Sequence, residues 1–415
     1  MQKVCLLNLG CRVNQYEIDS ILNSLSGKYE TITKLDFADI YIVNTCAVTQ
    51  EAEKKSRQII AKIEKINANA KVYVCGCASQ NNPQQFLEKR QVECVFGTYG
   101  KGKIKDNFDK KGNQVCAIPL EYEDDLMATN VRTRGYIKIQ DGCNNYCSYC
   151  IIPFLRGRSR SRKLESIVEE ARKLAETCPE IVLTGINISD YRIDGKLALG
   201  QVMQALKDIP SRIRISSLEV SVVDEEFMNI LKDMPNFCPS FHLCLQSGSD
   251  KILSDMNRHY TTKDYMAKVN LIRRYFPNAF ISTDLIVGYP TETQKDFEWS
   301  LNFLKQVGFS SVHYFAYSSR KGTKAGSLPQ INGNIIKERE AQLKEVVEEM
   351  KINYLQNFLG HTLQVLPEEH KNGFIEGFSE NYIRCALDFE AKLGKIITVM
   401  PVSIVDGMLL CKPVE

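Results

Sequence analysis

The chain has 415 residues, 53 Lys and Arg against 50 Asp and Glu, a formal charge of +3, and 44% apolar residues. Such a length suggests two or three domains, and that apolar share is ample for packed cores, which excludes a disordered or fibrous protein. No apolar run reaches the roughly 18 residues of a membrane helix, and the small net charge makes no case for nucleic acid unless local patches carry it.

Met1 to Cys5 leads straight into a strand rather than a signal peptide. The fifteen cysteines, several of them bunched, suit reduced thiols serving metals better than a secreted disulfide framework. A cytoplasmic enzyme without a membrane partner is expected. Over the first hundred residues, apolar runs at 4–9, 39–43 and 71–75 read as strands, and 14–25, 49–66 and 83–90 as helices. This alternation implies a doubly wound parallel α/β domain, 1–112. Ligands of such sheets bind beyond the carboxyl ends of the strands. Cys11, Cys46 and Cys77 each follow one of the three strands, so three distant thiols should converge on one edge. Cys75 is the rival to Cys77, which is favoured because it lies beyond the strand, after Gly76. Residues 113–130, mixed in Gly, Lys and acidic clusters, read as a solvated connecting segment.

A second strand-helix alternation begins at Gly135, with strands near 181–184, 212–216, 241–245, 280–286 and 311–315. Six parallel strands in an open barrel, 131–355, would fit, with functional side chains at their carboxyl ends. The first strand runs into Cys143-Asn144-Asn145-Tyr146-Cys147-Ser148-Tyr149-Cys150, which offers three thiolates and no fourth. Structural zinc needs four protein ligands, and His242 is far downstream, so a closed zinc site is poorly supported. Cysteine thiolates hold iron-sulfur clusters, and three on a four-iron cube leave one iron open to a small molecule.

Directly after this loop, Arg156, Arg158, Arg160, Arg162 and Lys163 place five cations in eight residues. Such a patch suits a polyanion, and RNA loops offer unpaired bases beside it; a solvated helix entry before the helix at 165–176 is the plainer reading. A Glu- and Lys-rich helix at 335–358 leads to short alternating strands separated by Gly, which would close a small antiparallel β-barrel, 356–415. That last segment carries five Lys and Arg against eight Asp and Glu, so any grip on RNA there would rest on stacking and local contacts from Phe374, Tyr382 and Arg384.

Cys143-x3-Cys147-x2-Cys150, with Tyr149 before the last cysteine, resembles the signature loop of radical S-adenosylmethionine (SAM) enzymes. The resemblance implies a 4Fe-4S cluster whose open iron chelates SAM, and a partial (β/α)6 barrel. It also implies SAM contacts from Tyr149 beside the adenine, Thr184 and Gly185 at the methionine amine, Ser217 and Glu219 at the polar part, Gln246, Arg258 and Asp284, and Ile286 at the adenine. Leu9-Gly10-Cys11-Arg12-Val13-Asn14-Gln15-Tyr16-Glu17, Val43-Asn44-Thr45-Cys46-Ala47-Val48-Thr49 and Cys75-Gly76-Cys77-Ala78 are similar to the amino-terminal blocks of the methylthiotransferase family.

In that family Cys11, Cys46 and Cys77 would hold a second 4Fe-4S cluster carrying the sulfur to be inserted. The carboxyl-terminal barrel resembles the TRAM module, an RNA-binding barrel. Arg12 to Glu17 resemble the branch acting on threonylcarbamoyladenosine in tRNA. The expected activity is methylthiolation of that base beside the anticodon with two SAM molecules per turnover. The expected partners are the tRNA anticodon stem-loop and unidentified sulfur and electron donors, and no catalytic side chain is assigned. Competing readings are methylthiolation of isopentenyladenosine or of a ribosomal protein side chain, and an iron-sulfur RNA-binding regulatory protein.

Overall fold

A computed structural model describes residues 1–124, 126–128 and 133–414. The expected boundary between 130 and 131 lies outside the described residues. No helix among those described is long and apolar enough to cross a membrane.

The amino-terminal sheet contains β1 (Lys3–Asn8), β2 (Glu30–Ile32), β3 (Ile40–Thr45), β4 (Lys71–Gly76), β5 (Val92–Val95) and β6 (Gly112–Asn113), in the order 2-1-3-4-5-6. Every neighbouring pair is parallel. Strand side chains alternate between faces, and each face has its own core. Leu7, Tyr41, Val43, Val72 and Val74 pack on one side, while Val4, Leu6, Ile42, Tyr73 and Cys75 pack on the other with Ile18 and Ile21 of α1 (Arg12–Leu25). α2 (Gln50–Ile66) starts at Thr49, whose hydroxyl accepts from Ala52 N. The sequence reading missed β2, β5 and β6, which are short, and α3 (Cys77–Asn81), which follows β4 immediately; the helix expected at 83–90 is present but is a single turn, Gln84–Leu87.

The central region carries seven strands in two parallel groups, where the sequence suggested six. Arg212–Ile215, Glu180–Gly185 and Arg134–Asp141 form one, edged by the antiparallel Arg160–Ser161. Ser217–Leu218, Ser240–Leu243, Phe280–Val287 and Ser311–Ala316 form the other. The chain crosses between them at Ser216, and a parallel bridge from Ile213 to Phe237 stitches the joint. Phe241, Leu243, Ile281 and Leu285 face the helices and join the main core. The alternate positions, His242, Ser282, Asp284 and His313, therefore face the lumen.

Helix Gly333–Gln356 delivers the chain to a closed five-stranded barrel of Leu363–Lys371, Phe374–Ser379, Arg384–Leu387, Ile397–Val405 and Met408–Pro413. One pair, Arg384–Leu387 with Met408–Pro413, is parallel, so the barrel is mixed rather than wholly antiparallel. Tyr382 stacks on Phe378, and Arg134 and Arg214 lie over its ring; this aromatic faces the central region instead of forming a free RNA platform.

The connecting segment is also corrected, because what is described of it packs against the body. Tyr122 donates to Lys138 O at 2.9 Å, Ala128 N donates to Glu170 at 2.7 Å, and Asp124 pairs with Arg162 at 2.6 Å. A buried arginine needs such a counter-charge.

Candidate active site

The Arg134–Asp141 strand ends in Gly142, whose φ of +75 and close approach to the Arg158 carbonyl leave no room for a side chain. The turn opens the cysteine loop. Cys143 N donates to Gly157 O at 3.0 Å, and Asn257 Nδ2 reaches the carbonyls of Asn145 and Tyr146 at 3.0 and 3.2 Å. Ser148 Oγ donates to Asp255 O at 2.9 Å. Cys143, Cys147 and Cys150 are all partly buried. Burial pushes the thiol of Cys143 up to about 11 and that of Cys150 up to about 12. A bound metal is what would draw them as thiolates.

The second trio is built by the sheet. Since β1, β3 and β4 are adjacent and parallel, Cys11, Cys46 and Cys77 emerge at the same edge. The Cys46 thiol is pushed up to about 12 by burial first and then by Cys77 and Cys11, which act on it directly. Cys75 points into the opposite core. Zinc-sulfur bonds of about 2.3 Å would draw three sulfurs to within about 4 Å of one another. Among the described residues the only trio of metal-ligating atoms within 4.8 Å is His242, Cys244 and Asp284. Both cysteine trios are therefore spread too widely for one ion, and a larger polynuclear group fits their all-sulfur donor sets.

A buried ion network joins the two trios. Arg156, 0% exposed, reaches Glu17 at 3.0 Å, Asp141 at 3.1 Å, Asn14 Oδ1 at 3.1 Å and Cys77 Sγ at 3.3 Å. Lys101 pairs with Glu17, and Lys138 with Asp141 at 2.6 Å. Burial alone would raise the Glu17 carboxyl, but Arg156, Lys101 and Lys138 outweigh it and hold it far below the ordinary range. Three cations against two carboxylates leave the network net positive beside the amino-terminal thiols. It anchors both loops: Asp141 precedes Cys143 by two residues and Asn44, bonded to Lys101 at 3.1 Å, precedes Cys46 by two.

This network overturns the four-arginine RNA face. Arg156, Arg160 and Arg162 are buried. Arg160 donates to Tyr99 at 2.6 Å and to the Arg156 carbonyl at 2.9 Å, while Arg162 pairs with Asp124 and Glu170. Arg158 alone of the four is exposed. Five cations in eight residues suggested a patch, but Arg156 lies in the helix Ile152–Arg156, the chain turns at Gly157, and three of the side chains are directed inward.

The remaining candidates gather around the Cys143 loop in differing degrees. Arg258 pairs with Glu219, donates to Cys147 Sγ at 3.3 Å and to Tyr260 at 3.2 Å, and Glu219 also accepts from Asn145 at 3.1 Å. Arg258, Glu219, Tyr260 and Asn145, with Asn257 and Ser221, line a cavity of about 280 Å³. Tyr149 and Ile286 pack on one apolar cluster with Met256 and Tyr289. Gln246, at φ +70, exchanges backbone hydrogen bonds with Asp284 and Ile286 at 2.9 Å each. Asp284 pairs with His242 at 3.2 Å, and Ser217 is exposed opposite His242.

Thr184 is buried, and Gly185 presses against the Gln140 carbonyl, where a Cβ would stand 2.9 Å away. Gln140 is a residue the sequence reading missed: fully buried, it accepts from Asn187 N at 2.8 Å and donates to Gly142 O at 2.7 Å and Ser159 at 2.9 Å. The available signal was the polar pair Gln140-Asp141 closing the strand just before the cysteine loop.

Comparison with known proteins matches residues 137–304 to the radical SAM superfamily and residues 3–97 to the uncharacterized protein family UPF0004. The chain is similar to the threonylcarbamoyladenosine tRNA methylthiotransferase MtaB of Aquifex aeolicus, with 34% identity over 96% of this chain and 100% of that one. It is also similar to MtaB of Thermotoga maritima, with 36% identity over 92% and 91% of the two chains. The tRNA-2-methylthio-N(6)-dimethylallyladenosine synthase of Clostridium novyi is 33% identical over 86% and 84%. Among solved structures, the radical SAM methyltransferase TsrM of Kitasatospora setae shares the fold, with a TM-score of 0.57 and 16% identity over 79% and 75% of the chains.

Proposed function

The chain belongs to the radical SAM methylthiotransferases, and on that premise we propose that it converts N6-threonylcarbamoyladenosine beside the tRNA anticodon into its 2-methylthio derivative. The observation that carries this reading is the full-length similarity to threonylcarbamoyladenosine enzymes, which spans both cysteine trios. Cys143, Cys147 and Cys150 would hold one 4Fe-4S cluster with SAM, and Cys11, Cys46 and Cys77 the second. When bound, these groups supply reductive SAM cleavage at the first site and the sulfur to be methylated and inserted at the second.

The chain's own residues hold, orient and shield. Arg258 ties Cys147 to Glu219, so the cysteine loop and the strand-end carboxylate that would face SAM move as one. Gln140 fixes the Gly185 turn to the start of that loop. Arg156 places a buried cation against Cys77 and offsets thiolate charge. Tyr149, Ile286 and Tyr289 form an apolar wall that excludes water near the adenine candidates.

Residues 1–112 would serve as the sulfur-carrying domain, 131–355 as the radical SAM domain and 356–415 as a TRAM module, joined by 113–130. The tRNA anticodon stem-loop is the partner and the cytoplasm the site of action.

The test is nucleoside mass spectrometry of tRNA lacking the modification after anaerobic incubation with cluster-reconstituted protein, SAM, sulfide and a strong reductant. A methylthio gain on threonylcarbamoyladenosine is expected. Gain on isopentenyladenosine alone would keep the reaction and overturn the substrate. SAM cleavage without gain on any nucleoside would redirect the search to protein substrates.

A further inference from the structure

Between the lower half of the central lumen and the carboxyl-terminal barrel lies a cavity of about 260 Å³, lined among others by Arg12, Arg214, His242, His313, Lys351 and Tyr382. Its charges are unequally committed. Arg214 is paired with Glu180 at 2.9 Å, and Arg384, also on the wall, with Glu376. Among the described residues the Arg12 side chain hydrogen-bonds only to the Tyr382 hydroxyl, at 3.3 Å, and it lies over that ring with 6.0 Å to its centroid. Among the described residues no carboxylate pairs with it. Asp406 is on the same wall but makes no ion pair with Arg12.

Imidazole and hydroxyl groups sit beside this cation, with the Asp284 carboxylate 3.2 Å from His242 Nε2. His242 and His313 have ring centroids 5.7 Å apart, and Ser282 lies 3.0 Å from His242 Nδ1. His313 is held below its ordinary range by burial first and then by His242, with Arg12 adding to the effect, so it stays uncharged near neutrality. Arg12 directly follows Cys11 in the chain, so one residue of the chamber wall adjoins a cysteine of the amino-terminal trio. A partly enclosed cation with neutral donors around it selects a small anion, and a planar guanidinium suits a carboxylate.

We propose that this chamber is a specificity subsite that receives the free carboxylate of an amino acid substituent on the target adenosine, with Arg12 as its charged partner and His313 and Tyr382 as neutral donors. The proposal rests on the threonylcarbamoyladenosine reading above and deepens it. An isopentenyl group in the same place would leave Arg12 desolvated and unpaired, which is how one architecture rejects the apolar substituent.

The experiment measures binding of cluster-reconstituted wild type and R12Q to three synthetic anticodon stem-loops, bearing N6-threonylcarbamoyladenosine, its threonine methyl ester, or isopentenyladenosine. Wild type is expected to bind the acid about 10- to 100-fold more tightly than the ester, and R12Q to bind both equally, at the ester's affinity. Equal binding of acid and ester by wild type, or an equal loss for both in R12Q, would overturn the subsite. Should R12Q lose iron, the acid-to-ester ratio on wild type and the same ratio on His313→Ala decide the matter. Failure of the functional reading has a different signature, namely no methylthio transfer to the acid whatever the binding ratio.

Discussion

Arg156 Nε donates to Cys77 Sγ at 3.3 Å, although Arg156 follows Cys150, the last cysteine of the other trio, by six residues. One side chain thereby links two cysteine loops from separate parts of the chain, and it does so while fully buried between Glu17 and Asp141. Arg156→Gln strips both carboxylates of their shared partner and should cost about 3–5 kcal/mol. It also removes a charged donor from a ligand sulfur, for which a loss of about 10- to 100-fold in metal affinity is expected. Thermal unfolding and iron per chain after reconstitution check both effects. Arg156→Lys should restore some stability but not the forked contact to Asn14 and Cys77. Unchanged iron content in a folded Arg156→Gln protein would contradict the assignment.

The two trios should separate by substitution. Cys147→Ala is expected to abolish reductive SAM cleavage, measured as 5'-deoxyadenosine. Cys46→Ala is expected to leave that cleavage largely intact while abolishing methylthio transfer. Each variant should hold about half the wild-type iron, since each trio would carry one of two 4Fe-4S clusters. Loss of both activities in folded Cys46→Ala would sink the division of labour.

Arg158 and Arg162 make a matched contrast, since both belong to the same basic run. Exposed Arg158 should act on RNA electrostatically: Arg158→Ala should reduce the slope of log affinity against log salt by about 1, with little effect on unfolding. Buried Arg162 pairs with Glu170 and Asp124, so Arg162→Ala should destabilise by about 3–5 kcal/mol. Equal salt slopes for Arg158→Ala and wild type would remove Arg158 from the RNA contact.

The basic run also marks where reading a sequence succeeds and where it stops. That Cys11, Cys46 and Cys77 share one edge was legible, because apolar strand periodicity and parallel topology dictate where strand ends fall. The inward turn of Arg156 and Arg162 was not legible, because it depends on carboxylates at 17, 124, 141 and 170 that only tertiary packing brings near, and that of Arg160 depends on Tyr99 and the Arg156 carbonyl. Short strands such as Gly112–Asn113 carry too few side chains to show a period. The parallel pair in the carboxyl-terminal barrel was hidden for another reason: alternation reports which face a residue takes, not the direction of its neighbour. Gln140 looked like one more strand residue until both ends of its amide had partners.

Glu180 supplies the clearest pH dependence. Burial alone would raise its carboxyl, but Arg214, with Arg134 and Arg212, outweighs burial and holds it below its ordinary value of 4.5. The folded state thus favours the ionised form. Its stabilisation is complete above about pH 4.5, the unfolded value, and is lost as pH falls through the lower folded value. Arg212 donates to Gln364 at 3.0 Å and Arg214 to Ser379 O at 3.3 Å, so this loss should loosen the carboxyl-terminal barrel. Glu180→Gln should lower the melting temperature at pH 7 and flatten its fall between about pH 5 and 3. Parallel melting curves for variant and wild type across that range would show that Glu180 is not the responsible group.

Gln140 distinguishes a structural tether from a shaped SAM site. Gln140→Leu keeps the volume but leaves Asn187 N without its acceptor and Gly142 O without its donor, at a cost of about 1–3 kcal/mol for an orphaned buried group. If the Gly185 turn approaches SAM, freeing it from the cysteine loop should weaken SAM affinity in equilibrium binding while leaving stem-loop RNA affinity unchanged. Gly185→Ala reaches the same turn from the other side, since its Cβ would meet Ile188 at 2.8 Å as well as the Gln140 carbonyl. Overpacking of this kind costs about 1–3 kcal/mol. Both variants should therefore raise the SAM dissociation constant without altering iron content, because neither touches a cysteine. A Gln140→Leu protein that melts earlier yet binds SAM as tightly as wild type would leave Gln140 as a tether only and take Gly185 out of the cofactor site.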